Sequence, residues 1–221
     1  MGPTIPSGHV IVEIDKDGAD AAREALERVI GEGGVALFPA DGLYGLACDP
    51  LNAAAIDRIH ELKGRDDGKP SAVMYFSPLA MRELLSTVSV ATRDAIAALL
   101  PGPVTLVVEN PGRLYPLACR EDAQRLGVRL IEGPLAGAGL PVLQTSANVS
   151  GEPPPTDYGE IAPGVLDSSD LAIDGGRLGG APSTVVDVTE IADGRWLVLR
   201  EGALPEGAVA EALRPSADPR G

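Results

Sequence analysis

The period of apolar and polar residues changes repeatedly along the chain. Short runs rich in Val, Ile and Leu predict buried strands, and they alternate with segments whose apolar residues recur at helical spacing. The clearest helix covers residues 19–30, where Ala22, Leu26 and Val29 share one face. We predict strands over residues 10–14, 35–38, 72–76, 104–108, 126–131, 142–144, 171–174, 183–188 and 195–200.

Further helices are predicted between these strands, over residues 51–62, 77–86, 90–100 and 208–213. Because strands and helices are interspersed and no linker divides them, the pattern predicts one α/β domain with a twisted mixed sheet flanked by helices. We expect this domain over residues 15–213, after an N-terminal segment and first strand at 1–14, with a disordered tail at 214–221. The Gly- and Pro-rich corners follow apolar strands, and we expect them to form one concave ligand-binding face.

A cluster of small polar residues follows the apolar run at 140–143. Ser146, Asn148 and Ser150 offer hydroxyl and amide groups, and Gly151 then allows the chain to turn. At the end of a buried strand, such groups can present hydrogen bonds to a ligand. The same residue types also cap turns. Considered alone, the stretch fits either interpretation.

Three cations follow the predicted helix at 51–62. Lys63, Arg65 and Lys69 lie in Gly-containing backbone, and such a loop can wrap a triphosphate, with Arg as a planar fork and Lys as a point charge. The alternative is structural, because cations at a helix C-terminus complement its dipole and Asp66 and Asp67 could pair with them. The chain has neither a Walker-type phosphate loop nor a Gly-x-Gly-x-x-Gly helix start.

Two Gly- and Pro-containing corners are further candidates. In the stretch 39–46, Gly42 and Gly45 surround Tyr44, so the backbone can approach a ligand while one ring lines the site. The alternative is a tight strand-to-helix corner with Tyr44 packed beneath it. The stretch 101–105 is most simply a turn into a strand.

Two arginines lie near strand ends. Arg129 follows an apolar run and is expected to be paired, either by a neighbouring carboxylate such as Glu132 or by an anionic ligand. Ser183 opens a β-branched strand, and Arg200 ends the next one. These residues could bind a ligand, or Arg200 could instead make a purely structural contact with Asp187.

Composition excludes several classes of function. The 221 residues carry 18 Lys+Arg against 32 Asp+Glu, a formal charge of −14, which argues against sequence-independent binding to nucleic acid. Cys48 and Cys119 form no metal-ligand spacing and suit a reducing, cytoplasmic compartment. No signal peptide is visible, and no run approaches the roughly 20 apolar residues of a membrane span. His9 and His60 have no triad context, and no His/Cys/Asp cluster has metal spacing.

Six motifs in order resemble the YrdC-domain family, the L-threonylcarbamoyladenylate synthases. The match covers roughly residues 33–204, most of the chain. It rests on Pro39, Asp41, Tyr44, Gly45 and Leu46; Lys63, Arg65, Lys69 and Pro70; residues 101–105; Val128 and Arg129; Ser146, Asn148, Ser150 and Gly151; and residues 183–187 with Arg200 and Gly202.

The resemblance implies a reaction in which L-threonine, bicarbonate and ATP give threonylcarbamoyl-AMP and pyrophosphate, with Mg²⁺ accompanying the ATP. The product would pass to a separate transferase complex that completes N6-threonylcarbamoyladenosine at position 37 of tRNA, with weak or indirect tRNA binding by this chain. By resemblance, the catalytic residues would be Lys63 and Arg65. The nucleotide and its phosphates would be bound by Arg65, Lys69, Ser146, Asn148, Thr156 and Arg200. Threonine would be bound by Ala40, Tyr44, Arg129 and Ser183, with its carboxylate on Arg129.

The chain departs from the family pattern at several positions. Ala40 and Gly42 stand where the family has Thr, and Met74 where many members have His. A lost hydroxyl would weaken threonine recognition by about 1–3 kcal/mol if a buried partner is left unpaired. These departures leave open a divergent paralogue with altered amino-acid choice. Two further alternatives are a non-catalytic RNA-binding member of the family and an enzyme that uses carbamoyl phosphate, as in hydrogenase-maturation proteins. We expect Lys63→Ala to abolish adenylate formation and leave the melting temperature nearly unchanged, unless the structural alternative holds.

Overall fold

A computed structural model describes residues 10–64 and 69–214. These residues form one ten-stranded mixed sheet, in the order β1-β8-β2-β3-β7-β4-β6-β5-β9-β10. The α/β class and the single mixed sheet predicted from the pattern are confirmed. The strands are β1 (Val10–Glu13), β2 (Ala36–Ala40), β3 (Leu43–Cys48), β4 (Ala72–Tyr75), β5 (Val104–Glu109), β6 (Arg125–Leu130), β7 (Val142–Ser146), β8 (Leu171–Asp174), β9 (Thr184–Asp187) and β10 (Leu197–Arg200).

Seven α-helices accompany this sheet in the described part of the chain. Asn52 and Ser89 start two of them, since their side chains accept the backbone N–H of Ala55 and Thr92. None of the helices described is both long and apolar enough to cross a bilayer. The helices are α1 (Ile14–Gly31), α2 (Ala53–Leu62), α3 (Arg82–Thr87), α4 (Val90–Leu99), α5 (Pro116–Cys119), α6 (Pro163–Asp167) and α7 (Glu206–Ala212).

The two faces of the sheet are covered differently. On one face, apolar residues of α2, α3, α4 and α7 pack on a large core. On the other face, α1 packs over β1, β8 and β2 and forms a smaller core with them. Along β6, Leu126, Val128 and Leu130 point into the large core, so the alternate residues belong to the face that α1 covers only in part. The uncovered half of that face is the floor of a cavity.

Several predicted boundaries shift by a few residues. The first strand ends at Glu13, and α1 begins at Ile14, with Gly18 at φ 89° interrupting its helical geometry. The last strand begins at Leu197 and the last helix at Glu206. Ser146 belongs to a strand, although the sequence places the end of that strand at residue 144. The predicted tail lies outside the described residues, except for Arg214.

The corner at residues 39–46 differs in kind from the prediction. Strands β2 and β3 form an antiparallel hairpin in which Ala40 pairs with Leu43, so the chain turns back into the sheet and does not enter a helix. The sequence pattern does not predict β3 as a strand, because Gly45 interrupts its run of strand-forming residues. In the structure, a Cβ on Gly45 would lie 2.8 Å from the Gln144 side chain, so glycine lets β7 pack beside β3.

Candidate functional site

A cavity of about 630 Å³ opens on the uncovered half of the sheet. This volume lies within the usual range of small-molecule sites, roughly 300–1,000 Å³. Its floor is built from side chains of β7, β4, β6, β5, β9 and β10 that share one face, and the segment containing Ala181 forms part of its rim. Within the described ranges, the charged residues of its lining are four cations and two acids in a chain of net charge −14, namely Lys69, Arg125, Arg129, Arg200, Asp41 and Asp122.

Arg129 on β6 is the most buried of these charges, with 7% of its side chain exposed. Its Nη2 donates to the Asp41 carboxylate and its Nη1 to Gln144 Oε1 at 3.2 Å. Its Nε makes no hydrogen bond within residues 10–64 and 69–214. The carboxylate that pairs with Arg129 is therefore Asp41 across the sheet. Glu132, the example of a neighbouring carboxylate considered from the sequence, is not that partner, because it lies past the end of the strand at Leu130.

Burial dominates the electrostatics of this pair. Burial raises the pKa of the Asp41 carboxyl, and this outweighs the lowering by the Arg129 guanidinium. Burial also lowers the pKa of Arg129, against the opposite influence of Asp41. Both partners have thus lost hydration that their mutual attraction does not fully replace, as is common for buried ion pairs. The pair is better explained by what it does in the cavity than by a gain in stability.

Asp41 is held in a constrained turn. It has φ 65°, a left-handed conformation that Asp and Asn enter more readily than most residues. Gly42 follows it, and a Cβ there would lie 2.4 Å from the carbonyl oxygen of Ala181. The hairpin turn therefore lies directly against the backbone of the rim, and only glycine fits at position 42.

Lys63 and Asn148 organise the end of β7. Lys63 Nζ donates to the carbonyl oxygens of Ser146 at 2.7 Å and Asn148 at 3.0 Å. The Ser146 hydroxyl donates to the Asn148 side chain, whose amide donates to the carbonyl of Glu152 at 2.6 Å. Among the described residues, the lining of the cavity includes Ser146 but not Lys63 or Asn148. The turn-forming interpretation of this stretch thus accounts for the contacts of Asn148, while Ser146 also faces the cavity.

Ser183 and Arg200 meet on the far side of the cavity floor. The Ser183 hydroxyl lies 2.8 Å from the Thr105 hydroxyl, and Arg200 Nη2 donates to the Ser183 carbonyl at 2.8 Å. Asp187 pairs with Arg125, so the structural contact considered between Arg200 and Asp187 is replaced by a different pair. Arg200 therefore stands at the cavity while its guanidinium is anchored by backbone.

The remaining predicted residues differ in their exposure to the cavity. Ala40 and Lys69 line it. Tyr44 borders it but is fully buried, and its hydroxyl donates to the Gly176 carbonyl at 2.7 Å and accepts the Gly175 N–H. Burial raises the pKa of Tyr44 to about 12, so its hydroxyl stays protonated.

Thr156 and Arg65 are the remaining predicted site residues. The Thr156 hydroxyl donates to Glu160 at 3.0 Å, and within the described part of the chain Thr156 is not among the lining residues. Arg65 lies outside the described residues. The predicted binding roles of both residues, like those of the lining residues, stay predictions.

Sequence reasoning missed three contributors to the site. Gln144 and Thr105 lie on the floor beside Arg129 and Ser183, and Arg125 lies four residues before Arg129 on the same face of β6. Alternation along β6 could have identified Arg125, because residues two apart share a face. Thr105 belongs to the motif at residues 101–105 but had no predicted role in the site, and Gln144 gave no signal, since the proximity of these residues to Ser183 and Arg129 depends on the order of the strands.

The fold and the cavity define an α/β domain with a cation-lined cavity on an open face of its mixed sheet. The chain matches the family named Sua5_yciO_yrdC and described as "Telomere recombination" over residues 28–202. The chain therefore belongs to the Sua5/YciO/YrdC family, as its motifs predict.

Three relatives illustrate the match. A protein of Thiobacillus denitrificans named threonylcarbamoyl-AMP synthase is 31% identical over 179 residues, which are 76% of this chain and 92% of the relative. The crystal structure of Escherichia coli YciO superposes with a TM-score of 0.76 at 26% identity, over 92% of this chain and 99% of YciO. Pyrococcus abyssi Sua5 complexed with L-threonine superposes with a TM-score of 0.78 at 27% identity, over 93% of this chain and 60% of Sua5.

Proposed function

We propose that this protein synthesises threonylcarbamoyl-AMP from L-threonine, bicarbonate and ATP, releasing pyrophosphate. The observation that carries the proposal is the buried guanidinium of Arg129 on the floor of a cation-lined cavity. A guanidinium in such a place suits a carboxylate ligand. The proposal is supported by the family, by the name of the Thiobacillus denitrificans relative and by the L-threonine in the Sua5 structure.

The proposed chemistry needs position and charge more than a protein nucleophile. Bicarbonate takes up a proton and loses water to give carbon dioxide, and the amine of threonine adds to it with release of a proton to form a carbamate. The carboxylate of this carbamate attacks the α-phosphorus of ATP and breaks its bond to the α,β-bridging oxygen, which leaves with pyrophosphate. Arg129 would orient the threonine carboxylate, and Lys69 and Arg200 would neutralise phosphate oxygens. The transition state of phosphoryl transfer is stabilised mainly by such positioning and electrostatics.

A divalent cation is expected to enter with the nucleotide. Mg²⁺ is usually held by one or two carboxylates together with substrate phosphates and water, and it would neutralise the charge of the leaving pyrophosphate. Asp122 and Asp41 are the carboxylates of the lining, and Asp41 is engaged by Arg129. The described residues hold no group of three or more His, Cys, Asp or Glu side chains suited to a metal. The donor set therefore fits an ion carried by the triphosphate, with Asp122 as its available carboxylate.

The choice of amino-acid substrate is the part of the proposal that depends most on the residues lining this cavity. Ala40 is a lining residue where the family has Thr, so this chain offers a methyl group in place of a hydroxyl. The methyl group of Ala40 also favours a second candidate, a paralogue that forms the adenylate from a different amino acid. Both candidates share the reaction and differ in the side chain that the cavity accepts.

Pyrophosphate release by the purified chain tests the proposal. We expect release from ATP to require bicarbonate together with L-threonine, and to fall strongly with L-serine or glycine. A preference for another amino acid would support the paralogue. Pyrophosphate release that requires neither bicarbonate nor an amino acid would reject the proposed reaction. Arg200→Ala should reduce the rate, whereas Arg195→Ala, a change at an exposed arginine paired with Glu190, should leave it unchanged.

The product is proposed to pass to a separate transferase complex acting on tRNA. Direct tRNA binding is expected to be weak, since the chain has a formal charge of −14 and phosphate contacts dominate nucleic-acid affinity. Tight tRNA binding with a steep salt dependence, in the absence of adenylate formation, would support the RNA-binding alternative.

A further inference from the structure

Gly127 lies at the centre of the cavity floor. It stands on β6 between Arg125 and Arg129, and all three residues line the cavity because alternate residues of a strand share a face. Its neighbours across the sheet are Val107, which pairs with it on β5, and Ala72 on β4. The cavity floor is therefore deepest at Gly127, which has no side chain and lies between two arginines.

The fold does not require glycine at this position. A Cβ on Gly127 would meet the Cα of Ala72 at 3.4 Å and the Thr105 methyl at 3.8 Å, which are ordinary contacts. Its φ is not in the left-handed region, where glycine would be favoured. Glycine inside a strand lowers stability and is typical of places where a ligand or another backbone approaches closely.

The other glycines around the cavity have a structural reason. A Cβ on Gly42 would lie 2.4 Å from the Ala181 carbonyl, and one on Gly45 would lie 3.1 Å from the backbone carbonyl of Thr145 on β7. A Cβ on Gly202 would lie 2.3 Å from the Pro182 carbonyl. Of the two glycines in the described strands, Gly45 is thus needed by the packing of β7, and Gly127 has no comparable contact.

We infer that Gly127 is a specificity-determining residue, which leaves room on the cavity floor for the amino-acid portion of the ligand. The inference rests on the proposed function, in which Arg129 receives the carboxylate of the amino acid. The two residues are about 6–7 Å apart along the strand, the length of a small amino acid. A methyl group at position 127 would occupy space that the bound amino acid needs, while ATP would bind as before.

The test compares Gly127→Ala and Gly127→Val with the wild-type chain. Gly127→Ala should keep or slightly raise the melting temperature, because alanine restricts the unfolded chain and its methyl group has room. The KM for L-threonine should rise roughly 5- to 150-fold, the range expected when one methylene is forced into a filled space. The KM for ATP should change less than twofold. Gly127→Val should increase the threonine effect further.

Gly207→Ala is the matched control. Gly207 lies on the exposed surface of α7, and a Cβ there would meet nothing within 4 Å, so the same chemical change should leave both KM values unaltered. An unchanged KM for threonine in Gly127→Ala, or an equal rise in the KM for ATP, would overturn the inference. So would a marked drop in its melting temperature.

The failure of the proposed function is a separate result. A wild-type chain that releases no pyrophosphate with any amino acid would reject the proposed function, and the role of Gly127 with it. An active wild-type chain with an equally active Gly127→Ala variant would reject only the role of Gly127.

Discussion

The Arg129 guanidinium donates to the Asp41 carboxylate across the cavity floor, joining β6 to the turn between β2 and β3. Asp41 has 22% of its side chain exposed and Arg129 only 7%, so the contact lies at the boundary between cavity and core. Gln144 accepts from a second nitrogen of the same guanidinium. The orientation of Arg129 is therefore fixed by one residue of the turn between β2 and β3 and by one residue of β7 before any ligand binds.

A double-mutant cycle measures how strongly the two residues are coupled. Arg129→Ala and Asp41→Ala should each lower the free energy of unfolding, because each leaves a partly buried charge without its partner. The double variant should be less destabilised than the sum, with a coupling of about 0.5–3 kcal/mol. Urea unfolding of the four proteins gives this number. Strict additivity would show that the pair is not formed in solution.

The pH dependence of stability follows from the raised pKa of Asp41. Since its pKa is higher in the folded than in the unfolded chain, the folded state favours the protonated carboxyl. Its contribution is fully present below the unfolded pKa of about 4 and is lost as pH rises through the higher folded pKa. The stability of wild type relative to Asp41→Asn should therefore decrease between acidic and neutral pH. Asparagine suits this comparison because it tolerates the left-handed backbone. A relative stability that increases with pH would show that Arg129 outweighs burial.

Lys63 connects the end of α2 to the end of β7, which changes the expectation from sequence. Its ammonium donates to the carbonyls of Ser146 and Asn148, so Lys63→Ala should lower stability as well as adenylate formation. A charged hydrogen bond contributes roughly 1.5–3 kcal/mol, and the partial exposure of Lys63 puts the expected loss at or below the lower end. Thermal unfolding and pyrophosphate release should be measured together. Loss of activity with no change in unfolding would restore the purely catalytic interpretation.

Nine of the ten strands in the described part of the chain could be predicted because this core is built from Val, Leu, Ile and Ala in short runs bounded by Gly and Pro; β3 was missed because Gly45 interrupts its pattern. Arg129, Ser183 and Arg200 could be predicted as site residues because each lies in a family motif near a strand end. The pairing of Arg129 with Asp41 could not, since the two are 88 positions apart and meet through a strand order that the sequence does not show. The role of Gly127 could not be predicted either, because it depends on which residues of neighbouring strands surround the space that a side chain at this position would fill.

Tyr44 supports the rim of the cavity from below. Its hydroxyl joins the backbone at Gly175 and Gly176 while its ring contacts Tyr158 edge to face. Tyr44→Phe should cost about 0.5–1.5 kcal/mol of stability, because the backbone at Gly175 and Gly176, which is at most partly buried, loses a hydrogen-bond partner that water can replace in part. The expected change in the KM for threonine is small, since the hydroxyl is engaged by these backbone groups. A large rise in this KM with unchanged stability would instead indicate direct contact with threonine.

The two positions where this chain lacks the family threonines should respond differently to their restoration. Ala40 lines the cavity, and Ala40→Thr should add a hydroxyl at the floor and improve threonine binding by about 1–3 kcal/mol if the ligand offers it a partner. Gly42→Thr should fail, because its Cβ would lie 2.4 Å from the Ala181 carbonyl and the rim would have to move. Titration with L-threonine and thermal unfolding of both variants, beside Gly42→Ala, separate the two effects. If Ala40→Thr weakens threonine binding while improving that of a smaller amino acid, the cavity is adapted to a different substrate, and Ala40 is part of that adaptation.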